Sequence, residues 1–268
     1  MMMQSYLMQL KSKLKHHLRR HGVKRTLGVA IRRAQNNLYL DETHVWYELA
    51  LGNSRPHKTL QPGLNLLRSG ADNLPLLDEL PTVSAYEARQ RMEAGHDHWL
   101  VLDDRQAIFA CWIFHDSVPV LAARNGQLVL PPEIVCLEDS ITSPSYRGQG
   151  IIAPAAWSQV ADRLEKAGVK SIITKVEADN KAMRWALAKS TFDDIAIVRF
   201  RKAGLRRYIA VQAKTGATAD WLVEQLIYGI RVNDARNVMP PGATSSSKIR
   251  DRLGLLKQLL ATLHQHLL

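Results

Sequence analysis

Cysteine is scarce in this chain, long apolar runs are missing, and no export signal is visible. The 268 residues include two cysteines, Cys111 and Cys136, and neither these nor the histidines have the spacing of a metal site. The longest apolar stretch, around residues 108–114, is far shorter than the ~20 residues of a membrane-spanning helix. Residues 1–10 lack the basic and apolar segments of a secretory signal. These absences predict a globular, cytoplasmic protein that binds no metal.

Acidic residues are missing from the first 40 positions, although the net charge of the whole chain is +11. Apolar residues from Met3 to Leu14 recur at helical spacing among lysines and arginines, which predicts a basic amphipathic helical extension over residues 1–42. Such a segment suits an anionic membrane surface, bound through residues 1–35, or is only a solvated basic face. A mitochondrial presequence is also compatible with this start. Nucleic acid is a less favoured partner, because the segment has no recognised nucleic-acid-binding fold.

Strands alternate with helices from residue 43 to residue 213, which we interpret as one domain. Ser84 and Glu87 fit a capping box, so a helix is expected to begin there and to end near Gly95. The remaining predicted elements are strands at 45–51, 99–102, 107–114, 133–142, 171–176, 195–201 and 208–211, and helices at 157–168 and 180–190.

Residues 214–268 are predicted to be a helical C-terminal extension. A helix is expected at 220–230, and a segment rich in proline, glycine and serine follows at 240–247. Leucine-class residues from Ile249 to Leu267 then alternate spacings of four and three, which is a heptad seam. The seam is expected to pack on another helix, either of this chain or of a second copy in a homodimer.

A glycine-bearing loop, Arg147–Ala153, stands between a predicted strand and a predicted helix. Free backbone N–H groups and the positive end of the helix dipole would point at one place, which favours binding of a phosphate group. Gly148 and Gly150 allow the backbone to approach a ligand closely. The loop has neither the third glycine of a dinucleotide-binding loop nor a Gly-Lys-Ser/Thr sequence, so neither nucleotide motif fits.

The whole stretch resembles the GNAT superfamily of acyl-CoA-dependent N-acyltransferases. In that family a proline, an aromatic residue and an Arg/Gln-x-x-Gly loop open a helix, and an asparagine and a phenylalanine follow downstream. The matching residues here are Pro144, Tyr146, Arg147, Gly150, Asn180 and Phe192. The resemblance implies an α/β fold of the α+β type, with a mixed, mostly antiparallel central sheet flanked by helices. It also implies an enzyme that transfers an acyl group, most simply acetyl from acetyl-CoA, to an amine.

The same resemblance indicates where the acyl-CoA would bind. The backbone of the strand end would contact the pantetheine and the acyl oxygen, the loop would hold the pyrophosphate, and an asparagine would lie beside the pantetheine. The residues so assigned are Ile141, Thr142, Ser143, Arg147, Gly148, Gln149, Gly150, Ile151, Ile152, Ala153 and Asn180.

Three positions depart from the family's pattern. Ile152 replaces a glycine or alanine in the loop, and Thr191 replaces the glycine before Phe192. Leu187 stands where the family often has the tyrosine that protonates the leaving thiolate. Water, Ser190 or Tyr208 is then expected to supply that proton, and Tyr208 is the side chain we select.

Glu138 is the expected general base, because GNAT enzymes often have a carboxylate on the strand that leads to the loop. In a regular strand Asp139 would point to the opposite face, so only one of the two acids could serve. Cys136 is disfavoured as a nucleophile, since no histidine is near it in sequence. Trp157 and Trp185 are expected to be core residues rather than substrate platforms.

Three functions remain open at this stage. The first is acyl transfer to a small-molecule amine. The second is transfer of a longer acyl chain at a membrane surface, which the basic first segment would contact. The third is a non-catalytic module that binds acyl-CoA, suggested by the missing tyrosine. The identity of the acceptor has no readable signal in the sequence.

Overall fold

The structure, a computed structural model, describes residues 39–227 except 53–54, 79, 81–82, 149 and 205. The predicted helix at the N-terminus and the heptad seam at the C-terminus lie outside these residues. Ten strands are present in the described part: β1 (Tyr39–Ala50), β2 (Leu64–Arg68), β3 (Asp97–Asp103), β4 (Gln106–Phe114), β5 (Ser117–Pro119), β6 (Gln127–Val129), β7 (Ile134–Thr142), β8 (Ser171–Glu177), β9 (Asp193–Ala203) and β10 (Arg206–Ala213). The α-helices are α1 (Ala85–Glu93), α2 (Ile152–Lys166), α3 (Lys181–Lys189) and α4 (Ala217–Ile227).

Eight strands form one sheet in the order β10-β9-β1-β8-β7-β4-β3-β2. Neighbouring strands are antiparallel except for β7 and β8, which pair in parallel. The first strand of the described chain therefore lies in the middle of the sheet, between β8 and β9. This mixed, mostly antiparallel sheet with helices on both faces confirms the predicted fold class.

The two faces of the sheet bury separate apolar cores. On one face α2 and α3 cover a cluster that includes Val135, Trp157 and Leu187. On the other face α1 and α4 cover a cluster that includes Trp112 and Leu222. Leu222 is fully buried in that cluster, so α4, which begins after residue 214, packs in the same core as the sheet.

The predicted strands and helices between residues 45 and 211 are present, with ends that differ by a few residues. The Ser84 hydroxyl accepts a hydrogen bond from the Glu87 N–H at 3.2 Å and caps α1 as expected. Sequence reasoning missed β2, the short hairpin of β5 and β6, and a 3₁₀ segment at Ala71–Asp78. These elements are too short for a hydrophobic period to be read from the sequence. Among the described residues, no helix is long and apolar enough to cross a membrane.

Candidate active site

The parallel strands β7 and β8 share only a short paired segment. Their register covers Ile134–Cys136 opposite Ser171–Ile173, although β7 continues to Thr142 and β8 to Glu177. The other neighbour of β7, strand β4, stays paired with it as far as Phe109 opposite Thr142. A gap therefore opens beside the second half of β7, in the middle of the sheet.

A β-bulge in β7 changes the direction of its side chains at this gap. The register with β4 shifts between the pairs Trp112–Glu138 and Ala110–Ile141, and Asp139 has a φ of 49°. Asp139 binds Arg91, whose guanidinium lies over the Trp112 ring, so Asp139 and Glu138 lie on the same face. The opposite face was expected for Asp139 in a regular strand, and the bulge removes that condition.

After β7 the chain makes a 3₁₀ turn, Pro144–Tyr146, and then the glycine loop that leads into α2. Gly148 and Gly150 have φ values of 80° and 64°, in the left-handed region that favours glycine. The N-cap residue Ile151 makes no side-chain capping hydrogen bond. The N–H groups of Ile152 and Ala153 therefore have no intrahelical acceptor and can bind an anion, whereas Pro154 has no N–H to offer.

The loop, the end of β7 and the start of α3 together form the wall of a cleft of about 470 Å³. Nine of the residues predicted to bind the cofactor line it: Ile141, Thr142, Arg147, Gly148, Gly150, Ile151, Ile152, Ala153 and Asn180. The Ile152 side chain is buried in the core, so its size does not obstruct the cleft. Gln149 lies outside the described residues.

Ser143 is the predicted cofactor residue that the structure places differently. It is buried, and its N–H donates to the Ile108 carbonyl at 2.8 Å. That N–H is therefore not available to a ligand. Ser143 continues the pairing of β7 with β4, so its N–H points away from the gap beside β7. The backbone that faces this gap belongs to earlier residues of β7.

The two tryptophans expected in the core have different environments. Trp157 is buried, and its Nε1–H donates to the Ser140 hydroxyl at 3.2 Å. Trp185 is 55% exposed and lines the cleft, so the prediction of a core role for it is wrong. A Cβ built on Gly150 would lie 3.5 Å from its ring. The apolar spacing of α3 does not reveal this rim position, because the loop that Trp185 contacts is distant in sequence.

Tyr146 is a second cleft residue whose side-chain role the sequence did not indicate. Its hydroxyl donates to the Asp103 carboxylate across the end of β3. This hydrogen bond, with smaller effects of burial and charge, raises the pKa of Tyr146. The bond ties the loop to the sheet and stabilises the cleft wall.

Glu138 lies at the point where β7 and β8 separate, and it forms an ion pair with Lys175 on β8. The Cys136 thiol is 3.5 Å from the same carboxylate oxygen. Both charged side chains are less than one-fifth exposed. Burial is the largest single effect and lowers the pKa of Lys175. The charge of Glu138, its hydrogen bond to the ammonium, and the neighbouring Cys136 and Asp139 together outweigh burial and raise that pKa. Lys175 is therefore a cation, and it neutralises the residue predicted to be the base.

The residues predicted to protonate the thiolate do not come together at the cleft. Tyr208 is on β10, at the sheet edge and four strands from β7, which at ~4.8 Å per strand is roughly 19 Å. Tyr208 therefore does not lie at the cleft, and sequence order did not show this because it does not show strand order. The Ser190 hydroxyl donates to the Ala186 carbonyl, and Leu187 is fully buried. Thr191 has a φ of 59°, which explains a preference for glycine at that position.

Similarities to known proteins were found among solved structures only, since no protein-family model and no curated protein matches the chain. An acetyltransferase of the GNAT family from Colwellia psychrerythraea is 15% identical with a TM-score of 0.45, over 61% of this chain and 57% of that one. A GCN5-related N-acetyltransferase from Sphaerobacter thermophilus is 11% identical with a TM-score of 0.44, over 70% and 57%. An aminoglycoside N-acetyltransferase in complex with CoA is 19% identical with a TM-score of 0.39, over 48% and 92%.

These similar structures are acetyltransferases, and the first two belong by name to the family that the sequence resembles. This chain spans less than two thirds of the length of either of those two proteins. Identities and TM-scores this low carry no information about the reaction or its acceptor.

Proposed function

We propose that this protein is a GNAT-type N-acyltransferase that transfers an acyl group, most simply acetyl, from acyl-CoA to the amine of a small molecule. The observation that carries the proposal is the cleft of about 470 Å³ at the end of β7. It combines two glycines in the left-handed conformation, an uncapped helix N-terminus and a gap between parallel strands. The first two suit a pyrophosphate, and the gap suits an extended thioester arm.

In this proposal the loop and the first turn of α2 bind the pyrophosphate. The pantetheine runs along the end of β7, with the backbone near Ile141 and Thr142 and the Asn180 side chain beside it. The acyl carbonyl then lies at the bulge, where backbone N–H groups no longer engaged with β8 can polarise it. The amine attacks the carbonyl carbon, the new N–C bond forms, and the C–S bond breaks.

The acceptor approaches from the face of the sheet on which Glu138 lies, opposite to α2 and α3. Glu138 takes the proton that the attacking nitrogen loses, which requires Lys175 to move away from the carboxylate. Because Leu187 is buried and Tyr208 is remote, solvent in the open cleft protonates the thiolate.

In Glu138→Gln we expect the transfer rate at neutral pH to fall by ~10²-fold or more. An unchanged rate and pH profile would place the base elsewhere.

A second candidate is a module that binds acyl-CoA without catalysis. The ion pair between Glu138 and Lys175 favours it, because the Lys175 ammonium occupies the carboxylate that would have to accept the proton of the amine. Calorimetry with CoA and an assay for released thiol, using acetyl-CoA and a panel of primary amines, separate the two candidates. Binding with amine-dependent thiol release supports the enzyme, and binding alone supports the module. Absence of CoA binding defeats both.

A further inference from the structure

Trp185 is unusual among the tryptophans of this protein. All six lie in the described part of the chain; four are buried and Trp221 is half-buried, whereas Trp185 is 55% exposed. An exposed tryptophan that also lines a cleft offers a large flat surface on which a ligand can pack. Its position on the rim of the cleft indicates a ligand that extends out of the cleft.

The contact between Trp185 and the loop fixes where such a ligand would pass. The ring edge lies 3.5 Å from the point that a Cβ on Gly150 would occupy. A pyrophosphate in the loop has two substituents, and in the proposed function the pantetheine leads inward past Ile141. The other substituent must lead outward, and Trp185 is an exposed aromatic side chain in the lining of the cleft.

Positive charge accompanies this aromatic surface. The Lys189 ammonium lies 3.5 Å from the centroid of the Trp185 ring, one helical turn further along α3. The Lys58 ammonium donates to the Lys189 carbonyl. Among the described residues, no carboxylate forms an ion pair with Lys58 or Lys189. An aromatic ring beside unneutralised ammonium groups suits a nucleobase that carries a phosphate.

We propose that Trp185 and Lys189 form the subsite for the adenosine 3′-phosphate end of CoA. The adenine stacks on the face of the indole ring that the Lys189 ammonium does not cover, and the ammonium binds the 3′-phosphate. The subsite rests on the proposed use of acyl-CoA, and it adds recognition of the nucleotide end, which the loop and β7 do not contact. It predicts that the protein distinguishes CoA from 3′-dephospho-CoA.

Calorimetry of the full chain with CoA and with 3′-dephospho-CoA tests the two contacts separately. Trp185→Ala is expected to weaken both ligands by roughly 5- to 150-fold, the measured range for loss of one base–aromatic stack, whereas Trp185→Phe retains most of the affinity. Lys189→Met is expected to weaken CoA by roughly fivefold, the size of a partly exposed charge contact, and to leave 3′-dephospho-CoA unchanged. Lys166→Met, at an exposed lysine in the last turn of α2, is the matched control and should affect neither ligand.

A measurement without substitution guards against variants that do not fold. Saturating CoA is expected to protect the exposed tryptophan of the intact protein from quenching by acrylamide. Unchanged quenching, or Trp185→Ala and Lys189→Met variants that bind CoA as the unaltered protein does, would overturn the subsite and leave the proposed function standing. If the unaltered protein does not bind CoA at all, the proposed function fails, and the subsite fails with it.

Discussion

Gly150 is the residue on which the cofactor loop depends most closely. Its φ of 64° favours glycine, and it is in contact range of Trp185. Gly150→Asp would put a carboxylate where the pyrophosphate is expected. Since like charges in contact cost several kcal/mol, we expect the affinity for CoA to fall roughly 100-fold or more in calorimetry.

Gly168→Asp provides the matched control for this substitution. Gly168 follows the other end of α2, has a φ of 90°, and has open space around its Cβ position. Gly168→Asp therefore imposes a backbone strain similar to that of Gly150→Asp, but far from the cleft. Both variants should lose some thermal stability, but only Gly150→Asp should lose CoA. Equal affinity of the two variants for CoA would show that the loop does not bind the pyrophosphate.

His98 is buried without a hydrogen-bond partner for either ring nitrogen among the described residues, and it stacks on Trp112. Burial, helped by the nearby charge of Arg91, lowers the pKa of His98 to about 4. The folded state therefore holds His98 neutral, while the unfolded chain binds a proton below pH ~6.5. The contribution of His98 to the free energy of unfolding is therefore fully present above pH ~6.5. It is lost as the pH falls towards 4, by about 3 kcal/mol in all.

Glutamine does not titrate in this range, so His98→Gln should make the free energy of unfolding less dependent on pH. The free energy of unfolding, measured by urea denaturation at pH 7.5 and pH 5, should change less in the variant than in the unaltered protein. A residual change is expected, because burial also lowers the pKa of His44 and of His96. Identical changes in the two proteins would contradict the assignment to His98.

At the scale of elements, helix α3 combines a structural cap with the proposed ligand contact. The Asn180 Oδ1 accepts the Met183 N–H at 3.1 Å, which leaves its NH₂ group free to donate to the pantetheine. Asn180→Ala should remove the cap and cost about 1 kcal/mol in the free energy of unfolding. Asn180→Asp should keep the cap and the stability but lose the donor, so only its CoA affinity should fall. If Asn180→Asp binds CoA normally, the contact with the pantetheine is absent.

Elements differ in how far the sequence predicts them. The wall of the cleft was predictable, because the glycines, the end of β7 and α2 are consecutive in the chain and their spacing is local. The bulge at Asp139 was not, since it depends on how β7 pairs with β4. The exposure of Trp185 and the remoteness of Tyr208 depend on which elements become neighbours, and hydrophobic spacing within one element does not encode that.

For the whole molecule, the described residues form one unit with a core on each face of the sheet. All the cleft residues belong to that unit. The helix in the basic segment at residues 1–35 stays a prediction. The two hypotheses for its role are packing on the terminal heptad seam and binding to anionic lipid. Deleting it should leave the affinity for CoA unchanged in calorimetry, because no cleft residue is removed.

The same deletion separates the two hypotheses. If the segment packs on the terminal heptad seam, the melting temperature should fall or the oligomeric state should change, which is the result we expect. If it binds anionic lipid, the shortened chain should keep its stability and lose only salt-sensitive binding to anionic vesicles. A stable deletion, together with no vesicle binding by the intact chain, would contradict both.

The central position of β1 has a consequence for how the protein is made on the ribosome. Glu48 of β1 accepts a hydrogen bond from Ser171 at the start of β8, 123 residues further along the chain. At a synthesis rate of ~5–20 residues per second, roughly 6 to 25 s pass between the synthesis of β1 and that of its first partner strand, β8. During that time β1 has neither of its neighbouring strands, β8 and β9, to pair with. The nascent chain is therefore expected to need chaperone protection until β8 and β9 have emerged and β1 can insert between them.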